Sequence, residues 1–247
     1  KSVAELLSCK LQQLPQDVLS GVQVLACFGS HVDVEVLEAV KNYDGGSGTT
    51  LMPALGTAQK EGLVEKAGPT HTFSHDVIQR AAFDLVPAMN RIPLLQKLVS
   101  CLIPRCMLEG GSDSFLFVTV DLINRIGSNA VTTDLTQSQL FAQVNLEAGK
   151  KHMAMSDFSS AVKHSTSGIS FLRANYWQDQ YELSLSLHEF AALASYSGGI
   201  YEPVVGLVNQ VISNAKSFED KFKSYCTFIN VIAMGSTARA SKRSASS

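Results

Sequence analysis

The sequence is short of charge, of paired cysteines and of long apolar runs, and each shortage removes a class of protein. Lys and Arg number 20 and Asp and Glu 22, a net charge of −2. A balance so near neutral excludes a general nucleic-acid or membrane-surface binder, which works through a basic surface. No apolar run reaches the roughly 18 residues of a bilayer span. Residues 1–15 have neither the charged start nor the apolar core of a secretory leader. Cys9, Cys27, Cys101, Cys106 and Cys226 are odd in number and scattered. There is no C-x-x-C, and Cys101 and Cys106 have no second pair at zinc spacing. They read as buried free thiols in a reducing, cytoplasmic compartment. The chain opens on Lys1 and not on Met, which reads as a fragment or processed piece.

Catalytic motifs are missing as well. "GGSGTT" (45–50) is glycine-rich but lacks the lysine of a P-loop, and no strand precedes it. It reads as a flexible loop. G-x-S-x-G is absent. His71 and His75 stand four apart across a strand-to-helix break, so they do not form a metal pair. His152, His164 and His188 fall inside helical segments and read as structural. Asp157 reads as a helix cap. No metal site, cofactor site or catalytic constellation assembles, and the chain reads as non-enzymatic.

What is present is helical period. Residues 2–12 form an amphipathic helix. Pro15 opens a second with Val18, Val22, Leu25 and Ala26 on one face. Asp33 suits the N-cap of a third, which turns Leu37 and Val40 inward. A fourth runs over 51–61, stopped by Gly62. The period then changes: 63–73 predicts two short strands around Ala67–Gly68–Pro69. Helical spacing returns after Ser74, with Ile78, Ala81, Ala82 and Leu85 on one face. From residue 90 the pattern is helical throughout, over 91–103, 115–126, 136–150, 156–171, 179–196, 201–214 and 218–233. "SDFSSAVKHSTSGI" and "GIYEPVVGLVNQVI" align at a shift of 43 residues, placing Phe158 over Tyr201, the pattern of a stacked helical array. A plain bundle fits the same helices.

These elements predict a mainly α protein. It has a linker helix (1–12), a winged-helix domain with a small β-hairpin (13–88), a tetratricopeptide-like helical array (89–235) and a disordered basic tail (236–247). Winged helices often bind DNA, but this one has the wrong sign. Between Pro15 and Val86 the acids are Asp17, Asp33, Glu35, Glu38, Asp44, Glu61, Glu65, Asp76 and Asp84, against Lys41, Lys60, Lys66 and Arg80, a balance of −5.

"FSHDVIQRAAF" (73–83) permits two accounts. In the plainer one Ser74 caps the helix and Asp76 meets the positive end of its dipole. In the other, a helix start with an imidazole beside it registers a phosphate.

Here a resemblance enters. "LQQLPQDVLSGVQVLACFGSHVDVEVLEAV", "LMPALGTAQKEGLVEKAG" and "HTFSHDVIQRAAFDLVP" resemble the winged-helix region of the STAND signalling ATPases. The likeness is to the AAA-type ATPase modules of multidomain serine/threonine kinases and hybrid sensor histidine kinases. "QVNLEAGKKHMAMSDFSSAVKHSTSGISFL" and "NYWQDQYELSLSLHEFAALASYSGGIYEPV" resemble the tetratricopeptide-like region that follows. The resemblance covers about residues 10–235. It implies that His75 senses bound nucleotide, supported by Asp76 and braced by Arg80. It also implies that the P-loop and Mg²⁺ motifs lie upstream, so ATP or ADP with Mg²⁺ belongs to the parent protein. The expected partners are that upstream nucleotide domain and a protein on the array, with no nucleic acid and no membrane. An alternative is a free-standing helical-repeat adaptor that binds a protein segment in a groove over 136–233, with Phe158, Trp177, Tyr181 and Tyr201 as candidate contacts.

Overall fold

The computed structural model describes residues 3–44, 51–108, 112–131 and 134–244; the glycine-rich stretch 45–50 lies outside them. The chain divides into two compact units, 1–126 and 127–247. The first runs α1 (Val3–Gln12), α2 (Gln16–Cys27), β1 (His31–Asp33), α3 (Val34–Val40), α4 (Leu51–Lys60), β2 (Val64–Ala67), β3 (Thr70–Phe73), α5 (Asp76–Asp84), α6 (Ala88–Cys106) and α7 (Asp113–Ile126). The second runs through a 3-10 turn (Ser128–Ala130), α8 (Leu135–Ala154), α9 (Phe158–Phe171), α10 (Tyr176–Asp179), α11 (Tyr181–Ser197), α12 (Val204–Asn214) and α13 (Phe218–Ser244). The described residues are mainly helical with one small sheet.

In the first unit the faces read from the sequence are the buried ones. Val18, Val22, Leu25 and Ala26 of α2, Leu37 and Val40 of α3, and Leu51, Leu55 and Ala58 of α4 all lie in the core. The hairpin turns at Gly68, whose φ of +61° is open to glycine, and Pro69. The sequence pattern did not anticipate β1, a three-residue strand that pairs antiparallel with β3 and gives the sheet order β1-β3-β2. Asp33 stands at the N-cap of α3 but makes no capping bond. Its carboxylate instead accepts from Thr70 Oγ (3.1 Å) and Ser114 Oγ (3.2 Å), tying β3 and α7 together.

Several expectations need correction. The segment 1–12 is no bare linker, because α1 packs on α5 and Leu11 is fully buried. α6 and α7, expected at the head of the array, belong to the first unit. The Arg125 guanidinium explains this for α7: it donates to the Cys27 carbonyl and lies 4.8 Å over the Phe83 ring. Of the cysteines read as buried, Cys27 alone is buried, and burial pushes its thiol up to about 12; Cys9 and Cys226 are exposed. The expected basic tail is helical through Ser244, since its Ala, Ser, Lys and Arg include nothing that stops a helix. No described helix is long and apolar enough to cross a membrane.

The second unit is a helical array. α9 packs on α8, α11 on α9, α12 on α11 and α13 on α12. The 43-residue period holds in the backbone, for Ser156 (φ 62°) and Gly199 (φ 74°) turn the chain at equivalent places after α8 and α11. α9 starts two residues later than expected, with the Asp157 side chain accepting from Ser160 N as the expected cap. Two glycines set the helix spacing. A Cβ on Gly149 would lie 2.8 Å from Phe190 Cε1, and one on Gly168 2.7 Å from Leu187 Cδ2.

His152 and His164 stack at 5.1 Å between α8 and α9. His152 Nδ1 is 3.1 Å from Asp157 Oδ2. Burial, and then the neighbouring His152 and Lys163 charges, hold His164 down at about 4, against a smaller pull upward from Asp157. A neutral buried imidazole of this kind favours the fold above the unfolded value near 6.5 and loses that contribution as pH falls toward 4.

Two outcomes follow from the array. Gly168→Ala lowers thermal stability by roughly 1–3 kcal/mol, because Leu187 is fully buried and has little room to yield; calorimetry of both chains checks it. His164→Gln flattens the loss of stability, roughly 2–3 kcal/mol, that the unsubstituted chain shows between about pH 7 and pH 4 in urea titrations.

Candidate functional site: a groove on the helical array

A cavity of about 500 Å³ opens between α8, α11 and α13. The repeat explains its place. α8 and α11 are equivalent first helices of their pairs, and α13 follows as the next, so the side chains they do not bury in the stack meet along one face. α11 supplies Glu189, Phe190, Leu193 and Tyr196; α13 supplies Phe222 and Lys223. Phe190 is turned into this wall at the point where it crosses Gly149 of α8. Leu193 (44% exposed) and Phe222 (58% exposed) leave apolar surface open to solvent.

One carboxylate sits among these apolar groups. The Glu189 side chain is only 13% exposed, and among the described residues its one ion pair is with Lys223 at 3.5 Å. Lys223 is 79% exposed, so its ammonium is largely solvated and neutralises Glu189 weakly. Burial accordingly pushes the Glu189 carboxyl up, against the opposing pull of Lys223. Lys150, on the α8 wall, is engaged by Glu147 at 2.8 Å. The groove therefore offers an aromatic lining around one under-neutralised acid, which suits an apolar anchor with a cation beside it. It contains no nucleophile–base pair, and no cluster of three or more metal-ligating side chains occurs among the described residues.

The groove residues expected from the sequence are placed differently. Trp177 and Tyr181 are buried in a cluster with Leu185 and Val211. His188 is buried against them, its ring 5.0 Å from Trp177 and its Nδ1 2.7 Å from the Ser184 carbonyl, to which it donates. Tyr181 also anchors the start of α13. Its hydroxyl donates to Asp220 (2.5 Å) and accepts from Lys216 N (2.8 Å), while the Lys216 ammonium lies 4.0 Å over its ring. Ser217 and Asp220 cap α13 reciprocally. Phe158 is half-buried against Gly198. Tyr201 is 39% exposed and rests on Tyr196, at one end of the groove. The residues that line the groove were overlooked because a helix face that is neither core nor charged carries no signal of its own. The 43-residue period could have found them by marking α8 and α11 as equivalent.

The "FSHD" residues lie in the first unit. Ser74 does not cap α5. Its hydroxyl donates to the Gly62 carbonyl (3.0 Å) and closes the base of the hairpin. The N-cap is His75, in extended conformation (φ −150°, ψ 141°), with no side-chain capping bond. His75, Asp76 and Arg80 are all exposed, and no hydrogen bond or ion pair joins them in the described residues.

No family model matches the chain, and no curated protein matches it. Among solved structures it is similar to the Signal Transduction ATPase with Numerous Domains (STAND) protein with a tetratricopeptide repeat sensor from Pyrococcus horikoshii, at 12% identity and a TM-score of 0.43. The match covers 94% of this chain and 37% of that protein, so the chain spans little more than a third of its length.

Proposed function

We propose that the chain is a non-catalytic regulatory part of a signal-transducing ATPase, in which the helical array is the sensor and binds a protein segment in its groove. The groove carries the proposal. It is continuous over three helices, apolar, and holds a single weakly neutralised acid. The best-fitting segment presents an aromatic or aliphatic anchor to Phe190, Leu193 and Phe222 and a Lys or Arg to Glu189.

The first unit is the coupling element in this proposal. Its order α2–β1–α3–α4–β2–β3 and sheet order β1-β3-β2 support a winged helix. His75 and Asp76 stand exposed at the start of α5, where they are accessible to a neighbouring nucleotide-binding domain. The chain's own residues fit nucleotide only as accessory contacts, one imidazole and one helix start, so ATP or ADP with Mg²⁺ would be held by that domain. A free-standing adaptor shares the groove but gives His75 no task.

Two experiments separate these. Peptides selected from a random display library against the full chain share an apolar anchor next to Lys or Arg, and Glu189→Lys weakens them at least tenfold. An absence of enrichment, or binding indifferent to Glu189→Lys, removes the groove. In the parent ATPase, His75→Ala raises basal signalling and speeds ADP release; unchanged values of both leave the adaptor.

A further inference from the structure

α13 carries a second apolar face. Phe218, Phe222, Tyr225, Ile229 and Ile232 follow one another at spacings of four, three, four and three, the seam of a two-heptad coiled coil. At about 100° per residue this seam is turned by about 130° from the face by which α13 packs on the array. That packed face holds buried Ser224 and Thr227, with Phe228 and Val231 against Ala192, Val204 and Val208. The groove side lies between the two, and Phe222, at the edge of the seam, also lines the groove. Phe218 is 68%, Phe222 58% and Ile229 62% exposed.

We propose that this seam pairs with the same seam of a second copy of the chain, the two α13 helices running antiparallel as a twofold dimer. The exposed area sets the argument. Phe218, Phe222 and Ile229 together leave roughly 400 Å² of apolar surface in water, as much as the largest patch on an ordinary monomer. Two such seams, with the flanking stem of Lys221, bury on the order of 1,000 Å², about where a specific interface becomes stable. The antiparallel direction follows from the residue order. The aromatic end (Phe218, Phe222) then faces the aliphatic half around Ile229, with Tyr225 against its own copy at the twofold, and the helix dipoles oppose. The twofold closes the assembly and leaves no seam open.

The test is independent of the groove, because Phe218 and Ile229 do not line it. Sedimentation velocity of the full chain is run over increasing concentration. The expected result is a monomer–dimer equilibrium with a Kd of about 1–100 µM. Ile229→Asp and Phe218→Asp each weaken it at least tenfold with an unchanged circular dichroism spectrum. Ile229→Ser, which adds no charge, shifts it in the same direction and covers the case in which the carboxylate disturbs α13. A chain that stays monomeric at several hundred µM overturns the proposal and assigns the seam to a different polypeptide. A dimer that all three variants leave intact overturns it too.

Discussion

Gly168 is the point at which three helices of the array meet. On α9, its missing side chain brings the Ala142 carbonyl and Asn145 of α8 to contact distance on one side and Leu187 of α11 on the other. The helix axes approach closely there, and a methyl group in that gap would push a fully buried leucine off its place. Gly149 does the same one level along, beneath Phe190. The spacing of the second unit depends on these two absences of a side chain. Small residues make the approach possible; dispersion and apolar burial along Phe141, Val144, Leu187 and Val208 make it favourable.

The groove is a consequence of that spacing. With α9 and α12 on the far side of the stack, α8, α11 and α13 leave a channel, and Phe190 is turned into it by the glycine it crosses. Tyr181 then fixes where α13 starts, through Asp220, the Lys216 amide and the Lys216 ammonium. One buried phenol thus serves the core cluster around Trp177 and positions the helix that forms the far wall. An aromatic with a polar end is suited to both tasks. Glu189 keeps its partial neutralisation only because Lys223, one turn into α13, comes within reach.

The first unit is built differently. Its helices are joined by polar side chains acting on backbone: Gln79 donates to the Ala26 carbonyl at 2.9 Å, Arg125 to the Cys27 carbonyl, and Arg91 to the Val86 carbonyl at 3.1 Å. The first two satisfy the end of α2, where helix carbonyls have no partners of their own. Arg91 and Arg125 both rest on Phe83. This draws α6 and α7 into the unit and leaves the start of α5 exposed.

The sequence by itself determined the longer helices, though not the short α10, and the hairpin, the buried faces of α2 to α5 and the 43-residue period. All of these are set by local spacing and by Gly and Pro at turns. It also determined the Asp157 cap, which needs only the next three residues. Tertiary structure decided whatever depends on partners distant in the chain. Ser74 looks like a cap but bonds to Gly62. Asp33 looks like another but reaches Thr70 and Ser114. Trp177 and Tyr181 look like groove aromatics but are core, because Val211, more than thirty residues on, packs against them. β1 forms because β3 is there to pair with it, and the groove exists because α13 comes to lie beside α11. Periodicity reports which side of a helix is apolar; which neighbour covers that side, and which apolar side stays uncovered, is decided by packing.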